Sequence, residues 1–277
     1  MTTIKYDELR PGDVLLHASK GEVSKLIQWA SDSDYSHIAM VYKPGLLAEA
    51  VSSGVHFDSD LKKRIEGIPA AFHRIDAWRP TGAGDPISDA ALAALRASAD
   101  QMQGRKFALN QWLELGLVCA LRNKVPDKPI WKWLITKVID TFVQVDPSRL
   151  LCSEFVYLAF FHAATTPPGQ LRPVLSRPNR PNRPFPNDLD IQKLIEEYLK
   201  AAGQSAQLLD IAALLNAFAA LTSSQIEANW EQARDAVRNR IRSELTAGMT
   251  GPHPDLIEPQ DFAESPSFRS LGSVVIV

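Results

Sequence analysis

The sequence predicts an α+β fold: an antiparallel sheet early in the chain, helices after it, and a helical extension at the C-terminus. Three observations carry this reading. Up to about residue 80 the apolar residues come in short alternating runs divided by turn residues, with one helical stretch among them. From Asp89 onward the apolar residues fall at helical spacing. The last part of the chain is helical again: Ile191, Leu194, Ile195, Tyr198 and Leu199 form one stripe, Leu208 to Leu221 is apolar on most sides and reads as buried, and Ile226, Trp230, Val237, Ile241 and Leu245 form a second stripe.

Taken in order, "PGDVLLHA" reads as a turn and a short strand. Gly21 to Ala30 has helical spacing at Val23, Leu26, Ile27 and Ala30, and "SDSDYS" is a loop. "HIAMVY" and "LLAEAV" read as strands joined by "KPGL", with a turn at Ser53-Gly54 and a third strand in "AAFHRIDAW". Ser88 is placed to cap a helix from Asp89 to Gln103, which Gly104 ends. The stretch 107–145 is helical, rich in tryptophan (Trp112, Trp131, Trp133) and broken by "NKVPDKP". A further helix begins after Asp146-Pro147, carries Cys152 near its front edge, and stops before "TTPPG". The segment 165–186 is a proline-rich linker containing "RPNRPNRP". At three residues per polyproline turn, Arg177, Arg180 and Arg183 share one ridge: a docking strip for an acidic surface or, as the favoured reading, a stiff solvated spacer. These divisions give a domain at 1–195, with the insertion 107–145 and the linker 165–186 inside it, and an extension at 196–277. The tail "SVVIV" reads as a strand that packs on a sheet edge.

Composition narrows the function. A formal charge of −2 gives no basic field for nucleic acid. With two cysteines, Cys119 and Cys152, neither a disulfide framework nor a zinc spacing is indicated. The N-terminus has no charged region followed by an apolar run, and no apolar run reaches membrane-spanning length. The expectation is a chain made in the cytoplasm without a signal peptide, exported, where it is exported, by a specialised secretion system.

Cys119, in "LGLVCALR", reads as a small buried hydrophobe. Cys152 differs in its position. The first turn of a helix carries unsatisfied N–H groups and a partial positive charge, which favour thiolates and can bind an oxyanion. By itself this leaves a nucleophile and a core cysteine equally open. A nucleophile needs a base. His162 stands ten residues further along the same helix, about 15 Å away on the axis, so it is not the base. His37 opens the strand "HIAMVY" directly after a polar loop. Glu49 is a carboxylate inside the apolar run "LLAEAV", which is costly unless something pairs with it. If the two strands are antiparallel neighbours, Glu49 falls near the level of His37. An outward-facing Glu49 is the alternative.

Together "LRPGDVLLH", "SHIAMVY", "AEAVSSGV" and "LLCSEFVYLAF" resemble the permuted branch of the NlpC/P60 superfamily, the YiiX-like cysteine hydrolases of papain-like fold. In that branch a Gly-Asp strand comes first, then histidine, then a polar partner, with cysteine last. "FPNDL", Phe185 to Leu189, resembles the Pro-x-Asp-Leu element that closes such domains. The resemblance covers roughly residues 6–195 and departs from the pattern in the long tryptophan-rich stretch and in the helices after residue 195.

The resemblance implies a circularly permuted papain-like domain and a thioester acyl-enzyme. Cys152 takes the nucleophile's position, His37 the base's and Glu49 the third; Asp13 matches the Gly-Asp element and reads as structural. Backbone N–H groups of Cys152 and Ser153 would hold the oxyanion, and Tyr35 is a candidate for lining the pocket or for packing. No cofactor and no metal is called for. The favoured substrate is an amide: a peptide, an isopeptide or a peptidoglycan stem peptide, in one version cleaved by a secreted bacterial effector. The alternatives are a lipid acyl hydrolase or acyltransferase like lecithin:retinol acyltransferase, and a non-catalytic scaffold binding a protein partner through the C-terminal helices.

Overall fold

The computed structural model describes residues 2–51, 53–107, 149–175 and 257–276, with isolated positions between 183 and 197. Cys119, the tryptophans of the insertion, most of the arginine ridge and the helical stripes beyond residue 195 lie outside the described residues. The chain divides into two compact units, and the one described below comprises residues 1–107, 148–183 and 251–277.

Its elements are β1 (Thr3–Lys5), β2 (Val14–Ser19), α1 (Glu22–Ala30), β3 (His37–Lys43), β4 (Leu46–Val51), β5 (Gly54–Asp60), α2 (Leu61–Glu66), α3 (Ile68–Ala71), β6 (Phe72–Pro80), α4 (Asp89–Asp100), β7 (Lys106–Phe107), β8 (Arg149–Leu150), α5 (Cys152–Phe161), α6 (Pro259–Ala263) and β9 (Phe268–Val275). Among the described residues the main sheet has seven strands in the order β1-β9-β6-β2-β3-β4-β5. All neighbours are antiparallel except β1 and β9, which run parallel. The fold is thus mixed α+β. After the turn expected at Ser53-Gly54 the chain forms a further strand, β5, which the sequence pattern does not predict.

Alternation along the central strands sorts their side chains onto two faces. Val14, Leu16, Ile38, Met40, Ala48 and Ala50 pack with Phe155, Val156 and Phe160 of α5. Leu15, Ala39, Val41, Leu47, Ile75 and Ala77 pack with Leu61 and Ile65 of α2. Both faces of β2 and β3 are therefore covered, which explains why these strands read as continuous apolar runs. α5 is apolar on most sides because it is buried on most sides, against α4, β3 and β4.

The Gly-Asp element is structural, as its sequence suggested. Gly12 sits at φ +91, in the left-handed region that favours glycine. Asp13, 1% exposed, accepts from Arg79 Nε and Nη2 at 2.7 Å each and from the Arg10 amide at 2.8 Å. Breaking a buried, bidentate pair strands a guanidinium away from water. Asp13→Ala is expected to lower stability by about 3–5 kcal/mol, read by urea denaturation.

The boundary drawn at residue 195 does not hold for the end of the chain. Residues 257–276 fold with the first unit: β9 lies between β1 and β6, with Ser273 opposite both Thr3 and Asp76. β9 is thus an inner strand, where "SVVIV" had been read as packing on an edge. Such pairing spans most of the sequence, so no local pattern announces it. The ridge arginine that is described, Arg183, is also engaged within the chain. Its amide donates to Asp32 Oδ1 at 2.8 Å and its guanidinium pairs with Asp34 at 2.9 Å, in the loop that leads to His37.

Candidate active site

Three elements converge on one histidine. His37 is the first residue of β3, where the strand leaves the polar loop and enters the sheet. Carried past the pair Met40↔Ala48, the β3–β4 register sets Glu49 level with Ala39, two residues from His37 on the same face. The diagonal is short enough for a hydrogen bond: His37 Nε2 lies 2.7 Å from Glu49 Oε2. Cys152 is the first residue of α5, with Leu151 as N-cap. Phe155 N–H makes the first helical bond, to the Leu151 carbonyl, so the Cys152 and Ser153 amides precede the helical ladder. Glu154 reaches back to the Leu151 amide at 3.2 Å and fixes the turn. Cys152 lies close enough to the His37 ring to favour its protonated form.

The electrostatics follow from these contacts. Burial works against charge on His37. The hydrogen bonds to Cys152 and Glu49, and the negative charge those groups carry when ionised, outweigh it, and the His37 pKa is pushed up to about 9. Burial alone would raise the Glu49 carboxyl. The hydrogen bond and charge of His37, then those of Arg64, hold it far below the usual carboxylate range.

Two residues of the cluster were not picked out from the sequence. Arg64 of α2 forks onto Glu49, with Nη1 donating to Oε2 at 3.0 Å and Nη2 donating to Oε1. His17 of β2 pairs in register with His37, with ring centroids 5.1 Å apart. A signal for a second partner existed: a buried carboxylate has two oxygens to satisfy, and one imidazole N–H serves only one.

The side chains of Ser153 and Tyr35 are engaged within the fold. Ser153 is 3% exposed and its hydroxyl donates to the Ile257 carbonyl, tying the start of α5 to the C-terminal segment. Tyr35 is buried. Its hydroxyl donates to Asp76 at 2.8 Å and the Arg74 guanidinium lies over its ring, so the hydroxyl is committed to the core and not offered to a pocket. An open groove of about 610 Å³ meets the cluster through His37 and Arg64, with Val51, Lys63, Ala71 and Phe72 among its walls; Cys152 is not on them.

No protein-family profile matches the sequence, and no curated protein matches it. A solved structure, "metalloprotein yiiX from Escherichia coli O157:H7, DUF1105", is similar at 22% identity and a TM-score of 0.35. The likeness covers 56% of this chain and 66% of that one, a remote resemblance that carries nothing about chemistry. The metal belongs to that protein. Here, among the described residues, no group of three or more His, Cys, Asp or Glu side chains could hold a metal ion. The donor set does not suit one, because Glu49 already faces a guanidinium. No helix among the described residues is long and apolar enough to cross a membrane.

Proposed function

We propose that the protein is a cysteine hydrolase of permuted papain-like type that cleaves an amide through a thioester. The observation that carries this reading is the His37 imidazole held 2.7 Å from a buried carboxylate and close to a cysteine at a helix start. Cys152, its proton passed to His37, attacks the carbonyl carbon as a thiolate, and the oxyanion meets the amides of Cys152 and Ser153. As the C–N bond breaks, His37 gives its proton to the departing amine. Neutral His37 then takes a proton from water as that water attacks the thioester. The thiolate leaves, and the imidazolium is restored. Glu49 fixes the ring and stabilises its charged form.

The amide preference rests on the proton. An amine is a poor leaving group unless protonated, and a His37 pKa near 9 keeps the ring protonated at neutral pH. The sign gives a pH prediction. His37 is raised from 6.5, so the required imidazolium is present at neutral pH and is lost as pH rises through about 9. Hydrolysis is expected to fall on that upper limb, read as kcat/KM against pH. A falling limb near 6.5 would overturn the protonated-ring mechanism.

The deciding experiment offers fluorogenic peptide and isopeptide amides beside p-nitrophenyl esters of acyl chains, with intact-mass detection of the acyl-enzyme. Amide turnover and an adduct on Cys152, both absent in Cys152→Ala, support the reading. Turnover of acyl esters alone would move the substrate to the lipid class. No adduct from either set would overturn hydrolysis.

A further inference from the structure

We propose that Arg64, seated on His17, is the positioning residue that holds the Glu49 carboxylate in the one orientation that accepts from His37. The proposal rests on the hydrolase reading and adds to it the support that makes the third residue work.

The geometry has three parts. First, Arg64 engages both Glu49 oxygens, one of which also receives His37 Nε2. A carboxylate held by a planar fork cannot turn about its last torsion without losing both bonds, so Oε2 stays aimed at His37. Second, Arg64 is itself fixed. Leu61 and Ile65, each 2% exposed, anchor α2 on the sheet, and Asp60 caps that helix by accepting from the Lys63 amide at 2.9 Å. The Arg64 guanidinium also lies over the Phe72 ring, 5.8 Å from its centroid.

Third, His17 receives the same guanidinium. Arg64 Nη1 lies 3.4 Å from His17 Nε2, and arginine can only donate, so His17 Nε2 accepts and its proton sits on Nδ1. That Nδ1 has no well-formed hydrogen bond among the described residues, although the main chain of His37 lies close enough to favour a proton on the ring. Burial first, then the neighbouring charges of His37 and Arg64, push the His17 pKa well below its ordinary value. His17 is thus a neutral acceptor. A cation there would repel both His37 and Arg64. Native proteins rarely keep a poorly satisfied, fully buried imidazole for packing alone.

His37 is therefore faced by His17 from β2, Glu49 from β4, Cys152 from α5 and Arg64 from α2, with Lys63 and Asp60 on the groove wall. Arg64 acts on it through Glu49, because its own charge would disfavour the imidazolium. That opposition makes the test decisive. If Arg64 positions Glu49, its removal lowers the His37 midpoint; if Arg64 acts only as a nearby charge, its removal raises the midpoint.

The measurement is the titration of His37 by ¹⁵N NMR of the ring, assigned by loss of its signals in His37→Gln, together with iodoacetamide alkylation of Cys152 at pH 7. In Arg64→Gln the His37 midpoint is expected to fall by about one pH unit or more and alkylation to slow about tenfold or more. Arg64→Lys keeps the charge, loses the fork, and is expected to fall between. A midpoint that stays or rises in folded Arg64→Gln would overturn the proposal, since a merely structural arginine lowers Tm without moving it downward. Should Arg64→Gln not fold, an unshifted midpoint in Arg64→Lys overturns it instead. A wild-type midpoint near 6.5 with an unreactive Cys152 would overturn the hydrolase reading and this proposal together.

Discussion

Replacing His37 by alanine is expected to slow amide hydrolysis by about 10²–10⁴-fold, the usual contribution of a positioned acid–base group. The reasoning is local. His37 lies close to Cys152 and 2.7 Å from Glu49. His56 is engaged elsewhere, 2.7 Å from the Ser53 hydroxyl, and His17 is held neutral against Arg64. The effect can be read before any substrate is known. Alkylation of Cys152, followed by peptide mass spectrometry across pH 5–9, should slow sharply in His37→Ala, with Cys119 as the internal reference. Equal alkylation in wild type and variant would remove His37 from the mechanism. Stability should fall as well, because a His37 pKa raised above 6.5 makes the charged ring part of what holds the fold, so alkylation is compared where wild type and variant are both folded.

What could be read from the sequence follows from how local each signal is. A cysteine at a helix start, a histidine at the head of a strand, and a lone carboxylate in an apolar run are each signals that operate over a few residues. Those signals marked Cys152, His37 and Glu49. Arg64 was not legible because "DLKKRIEG" offers three basic residues on a short helix. Which of them turns inward depends on the face of the sheet that α2 covers, a tertiary fact carried by Leu61 and Ile65. His17 sits in a run that reads simply as a buried strand, and its meaning appears only when β2 and β3 pair it with His37. Tyr35 was sought near a pocket because it stands two residues before His37. Asp76, far along the chain, claims its hydroxyl instead. β9 was legible as a strand but not as an inner one, since its partners are β1 and β6.

Glu49→Gln is expected to lower stability by about 3–5 kcal/mol, the largest folding effect predicted for a site residue. Glu49 is 1% exposed and balances Arg64, whose side chain is 19% exposed, as well as His37. Glutamine keeps the shape but removes the charge, and it can offer only one carbonyl oxygen to three donors. The guanidinium is left near the sheet with a partner that answers half of its fork, and the imidazolium loses its counter-charge. The pH dependence has a definite sign. The folded carboxyl is held far below its unfolded value of 4.5, so the Glu49 contribution is fully present above that pH. As pH falls below 4.5 the unfolded chain binds a proton that the folded chain refuses, and the difference between wild type and variant shrinks. Denaturation at pH 7 measures the full contribution, and at pH 3.5 the difference should already be smaller by about 1 kcal/mol. A difference below about 1 kcal/mol at pH 7 would mean that the Glu49–Arg64 pair behaves as a solvated surface pair. In the double variant Glu49→Gln, Arg64→Met, part of the loss should return, because an apolar side chain leaves no buried charge unanswered.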